Sequence, residues 1–332
     1  MFFSEIISFP LLQLKAIKAA CELGVFDEMA ANDNKITYFN LAQKLNIDNF
    51  RFKFFIDILL AYNVLTYQHE ILSLSSEFYE NLTTNKYLVL NSINYFEIMY
   101  KDIDDFAAYI VDGQTPGFIK DFWKYVDNPE KQAAQSTILS TGTILTIEHI
   151  AQFFDFSKFK CILDVGGNTG EFIYQICKRY LNVKGYVVDL PHVCKSGENK
   201  LMAFSEYSRI SFFPGDFQNI VFPVGVDLVT IKFVLCDWDL AKVKRILSNV
   251  FLNIQPRTKL LIIERFSDQD NPQKWHGEDL LADLNMMLIS PKILLKFRDT
   301  LPYIDLLKEI GFSNIAVSSI GFYGISLIEA IK

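Results

Sequence analysis

Ten residues constrain this chain more than any others: Cys161 to Gly170, reading CILDVGGNTG. An apolar run that ends in an acid and clustered glycines, then passes into the amphipathic run Glu171 to Tyr180, predicts strand, tight turn and helix. Gly166, Gly167 and Gly170 allow the backbone to turn sharply and approach a ligand, while the following helix aims its unpaired N–H groups at the same place. A nucleotide-binding α/β domain begins in this way. The spacing is GGxxG, and the GxGxxG that an NAD-dependent oxidoreductase asks for is missing. Two more strands end in acids, KGYVVDL at Asp189 and Arg209 to Asp216 at Asp216. With Asp164 they predict three carboxylates along one edge of a parallel sheet, outside the carboxyl ends of its strands, where open α/β folds bind ligands.

The rest of the carboxy-terminal half repeats the alternation. Val226 to Leu235 and Thr258 to Phe266 read as strands, Leu240 to Ile254, His276 to Leu288 and Leu301 to Ile310 as helices, and Asn314 to Ile320 with Gly324 to Ile331 as a closing strand pair. Strands separated by helical runs imply a parallel sheet covered on both faces, the doubly wound α/β class. The amino-terminal third differs. Leu11 to Leu23 has helical spacing, Thr37 can cap a helix through Lys44, Asp48 can cap Asn49 to Tyr62, and VLTYQHEILSLS alternates about a turn at His69 and Glu70. Two helices and a two-stranded wing form a winged-helix pattern. The helix that would enter a DNA groove offers only Arg51 and Lys53 among many apolar residues, so its face suits burial against protein and predicts a homodimer interface. Residues from about Asn91 to Phe156 read as linking helices rich in aromatics. The expected division is 1–100, 101–155 and 156–332.

At 332 residues with a net charge of −7, the chain can bury two cores and presents no broad basic face, which argues against nucleic acid as a partner. No apolar run reaches the roughly 18 residues that a membrane span requires. MFFSEIISFP lacks the basic start and cleavage site of a secretory leader, so the expected location is the cytoplasm. Five cysteines, an odd number with no CxxC pair, argue against a disulfide framework and against a zinc cluster. No metal is expected. His149 reads as a helix-surface residue, and His276 either begins a helix or presents an imidazole to a ligand.

ILDVGGNTG, VVDLPHV, FPGDF, IKFVLCDW and LLIIERF occur in an order and at separations that resemble the S-adenosylmethionine-dependent O-methyltransferases of the caffeate and hydroxyindole type. ACELGVFDEM and the winged-helix run resemble that family's dimerisation domain. The resemblance covers nearly the whole chain and implies a class I methyltransferase fold, a Rossmann-like doubly wound sheet preceded by a mainly α dimerisation domain. It implies S-adenosylmethionine as cofactor and a small, mostly flat acceptor. Gly166 would lie against the amino-acid end of the cofactor and Asp189 would accept from the ribose hydroxyls, with Leu190 packed beside them. Asp216 would receive the adenine amino group, Phe217 would cover the ring, and Lys232 would reach its edge. The residue types suit these tasks, since a carboxylate only accepts hydrogen bonds and an aromatic ring offers stacking area. His192 matches a family position with a structural role. Acceptor positions map near Gln135 and Leu139 and near Asp283 and Met286, with Trp123 a further candidate.

The expected catalytic centre departs from the family. Its general base is the histidine of LHDW, and here the motif is Leu235, Cys236, Asp237, Trp238. A neutral imidazole is matched to taking a hydroxyl proton near neutral pH, whereas an unperturbed thiol of pKa about 8.5 is mostly protonated there. Ionised Asp237 and Glu264 would oppose a thiolate further. Of the two acids that orient the family's histidine, one survives as Glu264 and the other falls at Phe297. Three chemical readings follow: an acceptor that needs little base assistance, Glu264 as the base, or Cys236 as base or transient methyl acceptor. A fourth keeps the cofactor and abandons methyl transfer for another reaction or for binding alone.

Overall fold

The structure is a computed structural model that describes residues 10–47, 50–76, 78–79, 129–266, 300–320 and 324–332. The chain divides into two compact units, Met1–Tyr100 and Lys101–Lys332.

In the first unit, helices α1 (Pro10–Glu22), α2 (Val25–Ala30), α3 (Tyr38–Leu45) and α4 (Phe50–Ala61) pack with strands β1 (Ile36–Thr37), β2 (Leu65–Gln68) and β3 (Ile71–Leu74). Thr37 caps α3 as its sequence predicts, its Oγ1 accepting the Asn40 N–H at 3.2 Å. His69 and Glu70 both take positive φ, 51° and 64°, so the β2–β3 hairpin turns in two residues with the hand that matches strand twist. The sequence gives no sign of β1, which pairs with β3 and completes a three-stranded sheet of order β1-β3-β2. Asn34 extends that pairing: its side chain accepts the Leu74 N–H at 2.7 Å and donates to the Leu74 carbonyl at 3.2 Å. Val25, Phe26, Met29, Leu41, Ile56, Leu59, Leu65 and Leu72 form the core. Phe50 and Phe54 lie outside it, 82% and 57% exposed, with their rings stacked at 6.4 Å. The predicted Asp48 cap falls outside the described residues.

Among its described residues the second unit starts at the long helix α5 (Pro129–Phe153) and then alternates: β4 (Cys161–Val165), α6 (Glu171–Arg179), β5 (Lys184–Asp189), α7 (Pro191–Leu201), β6 (Ile210–Pro214), β7 (Leu228–Lys232), α8 (Leu240–Asn253) and β8 (Lys259–Arg265). Helix α9 (Leu301–Ile310) and strands β9 (Ser313–Ser319) and β10 (Ile325–Ile331) complete it. The seven strands stand in the order β6-β5-β4-β7-β8-β10-β9. Strands β4 to β8 are parallel, as expected, while β10 runs antiparallel to both β8 and β9. The predicted closing strand pair thus adds an antiparallel edge to the parallel sheet. The reason is connection length, because the few residues between β9 and β10 permit only a hairpin. The order reverses between β4 and β7, and the carboxyl ends of these two strands mark the switch point.

Two apolar layers cover the sheet. Leu163, Val165, Val229, Ile231, Leu260 and Ile262 meet α8 and α9 on one face. Ile162, Val187, Leu228, Leu261 and Ile263 meet α5 and α6 on the other. Strand alternation thus assigns Asp164, Thr230 and Lys232 to the α5 face. Among the described residues no helix is long and apolar enough to cross a membrane and no group of side chains is suited to hold a metal, and the five cysteines are all free thiols. The predicted helix at His276 to Leu288 lies outside the described residues.

Candidate functional site

The glycine turn is fixed by where β4 must deliver the chain. Gly166 takes φ +71° and donates its N–H to the Val188 carbonyl at 2.8 Å, and Gly170 takes φ +79° as it opens α6. A side chain at Gly167 has no room: a Cβ there would stand 2.7 Å from Asp164 Oδ2 and 2.9 Å from a Val187 methyl. The turn is pinned to the end of β5 by Asn168, whose N–H donates to Asp189 Oδ2 at 2.8 Å, while the Leu190 N–H donates to Oδ1 at 2.7 Å. Burial pushes the Asp189 carboxyl upward, and these two N–H groups oppose the shift. Each oxygen of the ionised group holds one backbone donor and keeps further acceptor capacity. A vicinal diol matches that capacity, so the donor set fits the ribose end of the expected cofactor.

Strand β6 brings the next acid to the same edge, since the Gly215 N–H donates to the Asp189 carbonyl at 2.9 Å. Asp216 is exposed and folds its own loop, accepting the Gln218 N–H at 2.9 Å and the Asn219 amide at 3.3 Å. Phe217 is half-buried on the α8 face, its ring edge-on to Trp238 at 6.5 Å. Leu190, also half-buried, opens α7 ahead of Pro191. Gly166, Asp189, Leu190, Asp216 and Phe217 therefore occupy neighbouring strand ends. Lys232 does not join them. Its ammonium lies on the α5 face, donating to Thr143 Oγ1 at 3.0 Å and standing 4.5 Å above the Phe233 ring, across the sheet from Phe217.

The end of β7 departs from its predicted length for a visible reason. Phe233 takes φ 53°, and residues Leu235–Asp237 form a single 3-10 turn. Glu264, buried at the end of β8, gathers that turn: its Oε1 accepts the N–H groups of Val234 at 2.9 Å, Leu235 at 2.8 Å and Cys236 at 3.3 Å. Its Oε2 is buried with no hydrogen-bond partner among the described residues. Cys236 is half-buried, its Sγ 3.9 Å from Asp237 Oδ1. The structure thus brings Cys236, Asp237 and Glu264 together.

Leu139 lies on α5 and is half exposed, and Gln135 belongs to the same helix with its side chain outside the described part. Trp123, His276, Asp283, Met286 and Phe297 lie outside the described residues. Sequence reasoning missed Ser140 and Thr143, buried on α5, and Lys200 on α7, which reaches Ser140 Oγ at 2.9 Å. Hydroxyls at 140, 143 and 146 in a helix otherwise rich in apolar residues were the available signal. Lys200 itself carried none.

Residues 113–313 match the O-methyltransferase domain family, and residues 8–90 match the O-methyltransferase dimerisation domain. The chain is 31% identical over 150 residues to the 3-hydroxy-5-methyl-1-naphthoate 3-O-methyltransferase of Streptomyces sahachiroi, covering 45% of this chain and 43% of the relative. It is 26% identical over 327 residues to the acetylserotonin O-methyltransferase of Gallus gallus, covering 92% and 90%. The chain thus spans less than half of the first relative and nearly all of the second. Among solved structures, human N-acetylserotonin methyltransferase in complex with SAM superposes with a TM-score of 0.77 at 21% identity, covering 100% of this chain and 99% of that one. The shared fold is the class I methyltransferase fold expected from the sequence.

Burying acids at this edge has a measurable consequence. Burial pushes Glu264 up to about 7, opposed by the three N–H groups. Burial and then the neighbouring Glu264 push Asp237 up to about 8. Asp164 is also raised by burial, against the hydroxyl of Thr230 at 2.7 Å. Between about pH 4, where unfolded carboxyls release their protons, and about pH 7, the native state binds more protons than the unfolded chain, so stability falls as pH rises. The denaturation midpoint is expected to be higher at pH 5 than at pH 7.5, and Asp237→Asn to flatten that profile. A variant as steep as the wild type would contradict the assignment.

Proposed function

The chain belongs to the O-methyltransferase family, and we propose that it binds S-adenosylmethionine and methylates a small, flat organic acceptor. The observation that carries this reading is the glycine turn locked onto Asp189, with Asp216 and Phe217 at the next strand end. Gly166, Asp189, Leu190, Asp216 and Phe217 would hold the cofactor, Asp189 at its ribose. When bound, S-adenosylmethionine supplies an electrophilic methyl group. The dimerisation match and the stacked, exposed Phe50 and Phe54 support a homodimer formed through the amino-terminal unit. Light scattering that finds a monomer at micromolar concentration would contradict the dimer.

The histidine base expected in this family is replaced by Cys236, and we assign its task to Glu264. Oε1 holds the 3-10 turn and leaves Oε2, buried and unpartnered among the described residues, to accept the acceptor's proton. A carboxyl raised to about 7 is well matched to that transfer near neutral pH. Asp237, raised to about 8, stays largely protonated there, so Glu264 can ionise without a second negative charge beside it. Cys236 is assigned no chemical step, since its sulfur stands 3.9 Å from Asp237 Oδ1 and a carboxyl beside a thiol opposes the thiolate.

Labelled methyl incorporation into a mixture of phenols, amines and enols tests both parts. Glu264→Gln is expected to lower turnover by about 10²–10⁴-fold, the range of a lost general base, while Cys236→Ala stays within about threefold of the wild type. Full activity in Glu264→Gln would reject the base. Tight cofactor binding with no transfer to any acceptor would support the repurposed, non-methylating protein instead.

A further inference from the structure

We propose that Lys200 is a positioning residue that docks the middle of α5, around Ser140, onto the glycine turn, so that the setting of α5 and ligand binding at the turn are coupled. The proposal rests on the reading of that turn as the cofactor site. Lys200 Nζ donates to Glu171 Oε2 at 2.7 Å and to Ser140 Oγ at 2.9 Å. The Ser140 hydroxyl lies 3.4 Å from that of Thr169. Thr169 and Glu171 flank Gly170, which opens α6, so one ammonium joins α7, α6, α5 and the turn itself.

The local sequence explains how a lysine on α7 reaches so far. Gly197, one helical turn before Lys200, has no room for a side chain: a Cβ there would stand 2.5 Å from the Phe212 ring and 3.0 Å from Thr169 Cα. Helix α7 thereby lies directly against the turn, and Lys200 leans over it. The network is lopsided in burial, with the Lys200 side chain 37% exposed and that of Glu171 9%. Removing the ammonium would leave a desolvated carboxylate whose remaining side-chain donor is Gln175, at 2.8 Å.

The middle of α5 and its C-terminal end are held differently. Ile147 and Ile150, with Phe154 just beyond the helix, enter the apolar layer that contains Phe156, Phe172 and Ile176. Ahead of them the buried face carries Ser140 and Thr143, which meet Lys200 and Lys232 respectively. The C-terminal end is anchored by apolar packing, whereas the stretch at residues 140–143 is docked through ammonium–hydroxyl contacts and can detach without opening the core. A ligand that fixes the turn fixes Thr169 and Glu171, and through Lys200 it favours docked α5. By linkage, docked α5 favours the ligand to the same degree.

Hydrogen exchange of the full chain, alone and with S-adenosylhomocysteine, tests this with Lys200→Met and Lys200→Arg. In the ligand-free protein, Lys200→Met is expected to speed exchange across residues 140–146 by about tenfold, with residues 147–153 unchanged, and Lys200→Arg to restore protection. S-adenosylhomocysteine is expected to slow exchange across 140–146 in the wild type and to lose that effect in Lys200→Met. Equal exchange in wild type and Lys200→Met, or no restoration by arginine, would overturn the docking role. A wild type that binds the ligand with α5 unmoved would overturn the coupling alone, whereas a wild type that binds no ligand would overturn the functional reading as well.

Discussion

A carboxylate enters a protein interior only when hydrogen bonds replace its water, and the carboxyl edge of this sheet is built by supplying them. Asp164 takes the Thr230 hydroxyl, Asp189 takes two backbone N–H groups, and Glu264 takes three. Each bond also shapes the chain. The Asn168 contact closes the glycine turn, and the Glu264 contacts end β7 and wind residues 235–237 into a 3-10 turn. Asp227 does the same at the other end of the sheet, accepting the N–H groups of Lys160 at 2.8 Å and Cys161 at 2.9 Å and so setting where β4 begins. The acids that would recognise a cofactor or move a proton are thus also the acids that hold the loops in place.

This double use separates the two ends of the site. Asp189 shares its oxygens with two donors and stays within reach of solvent, which suits a permanent hydrogen-bond acceptor. Glu264 is buried and Asp237 stands near it, and burial raises both toward neutral pH. Groups poised in that way exchange protons easily, which is what a base needs. Glu264 Oε2 is buried with no hydrogen-bond partner among the described residues.

Much of this was legible in the sequence because it depended on local chemistry. Clustered glycines announced the turn, Thr37 announced the start of α3, and the His69–Glu70 pair between alternating runs announced the hairpin. Long-range placement was less visible. Nothing in ISLIEAI says that β10 inserts between β8 and β9, since a strand buried on both faces reads alike whatever its neighbours. The direction of the Lys232 side chain was hidden for a related reason. In LVTIK both faces are buried, so hydrophobic contrast cannot say which way the last residue points, and only the packing of Leu228 against the α5 layer decides it. Lys200 was hidden because an exposed helical lysine has the same local pattern whether or not a buried acid lies beneath it.

The central claim is that this edge binds the S-adenosyl cofactor through Asp189. Calorimetric titration with S-adenosylhomocysteine, performed on the wild type and on Asp189→Ala, tests it most directly. The account predicts micromolar or tighter binding by the wild type and a loss of about a hundredfold in the variant, the equivalent of removing charge-assisted hydrogen bonds to the ribose. Equal affinity in the two proteins, or no binding by the wild type, would contradict it.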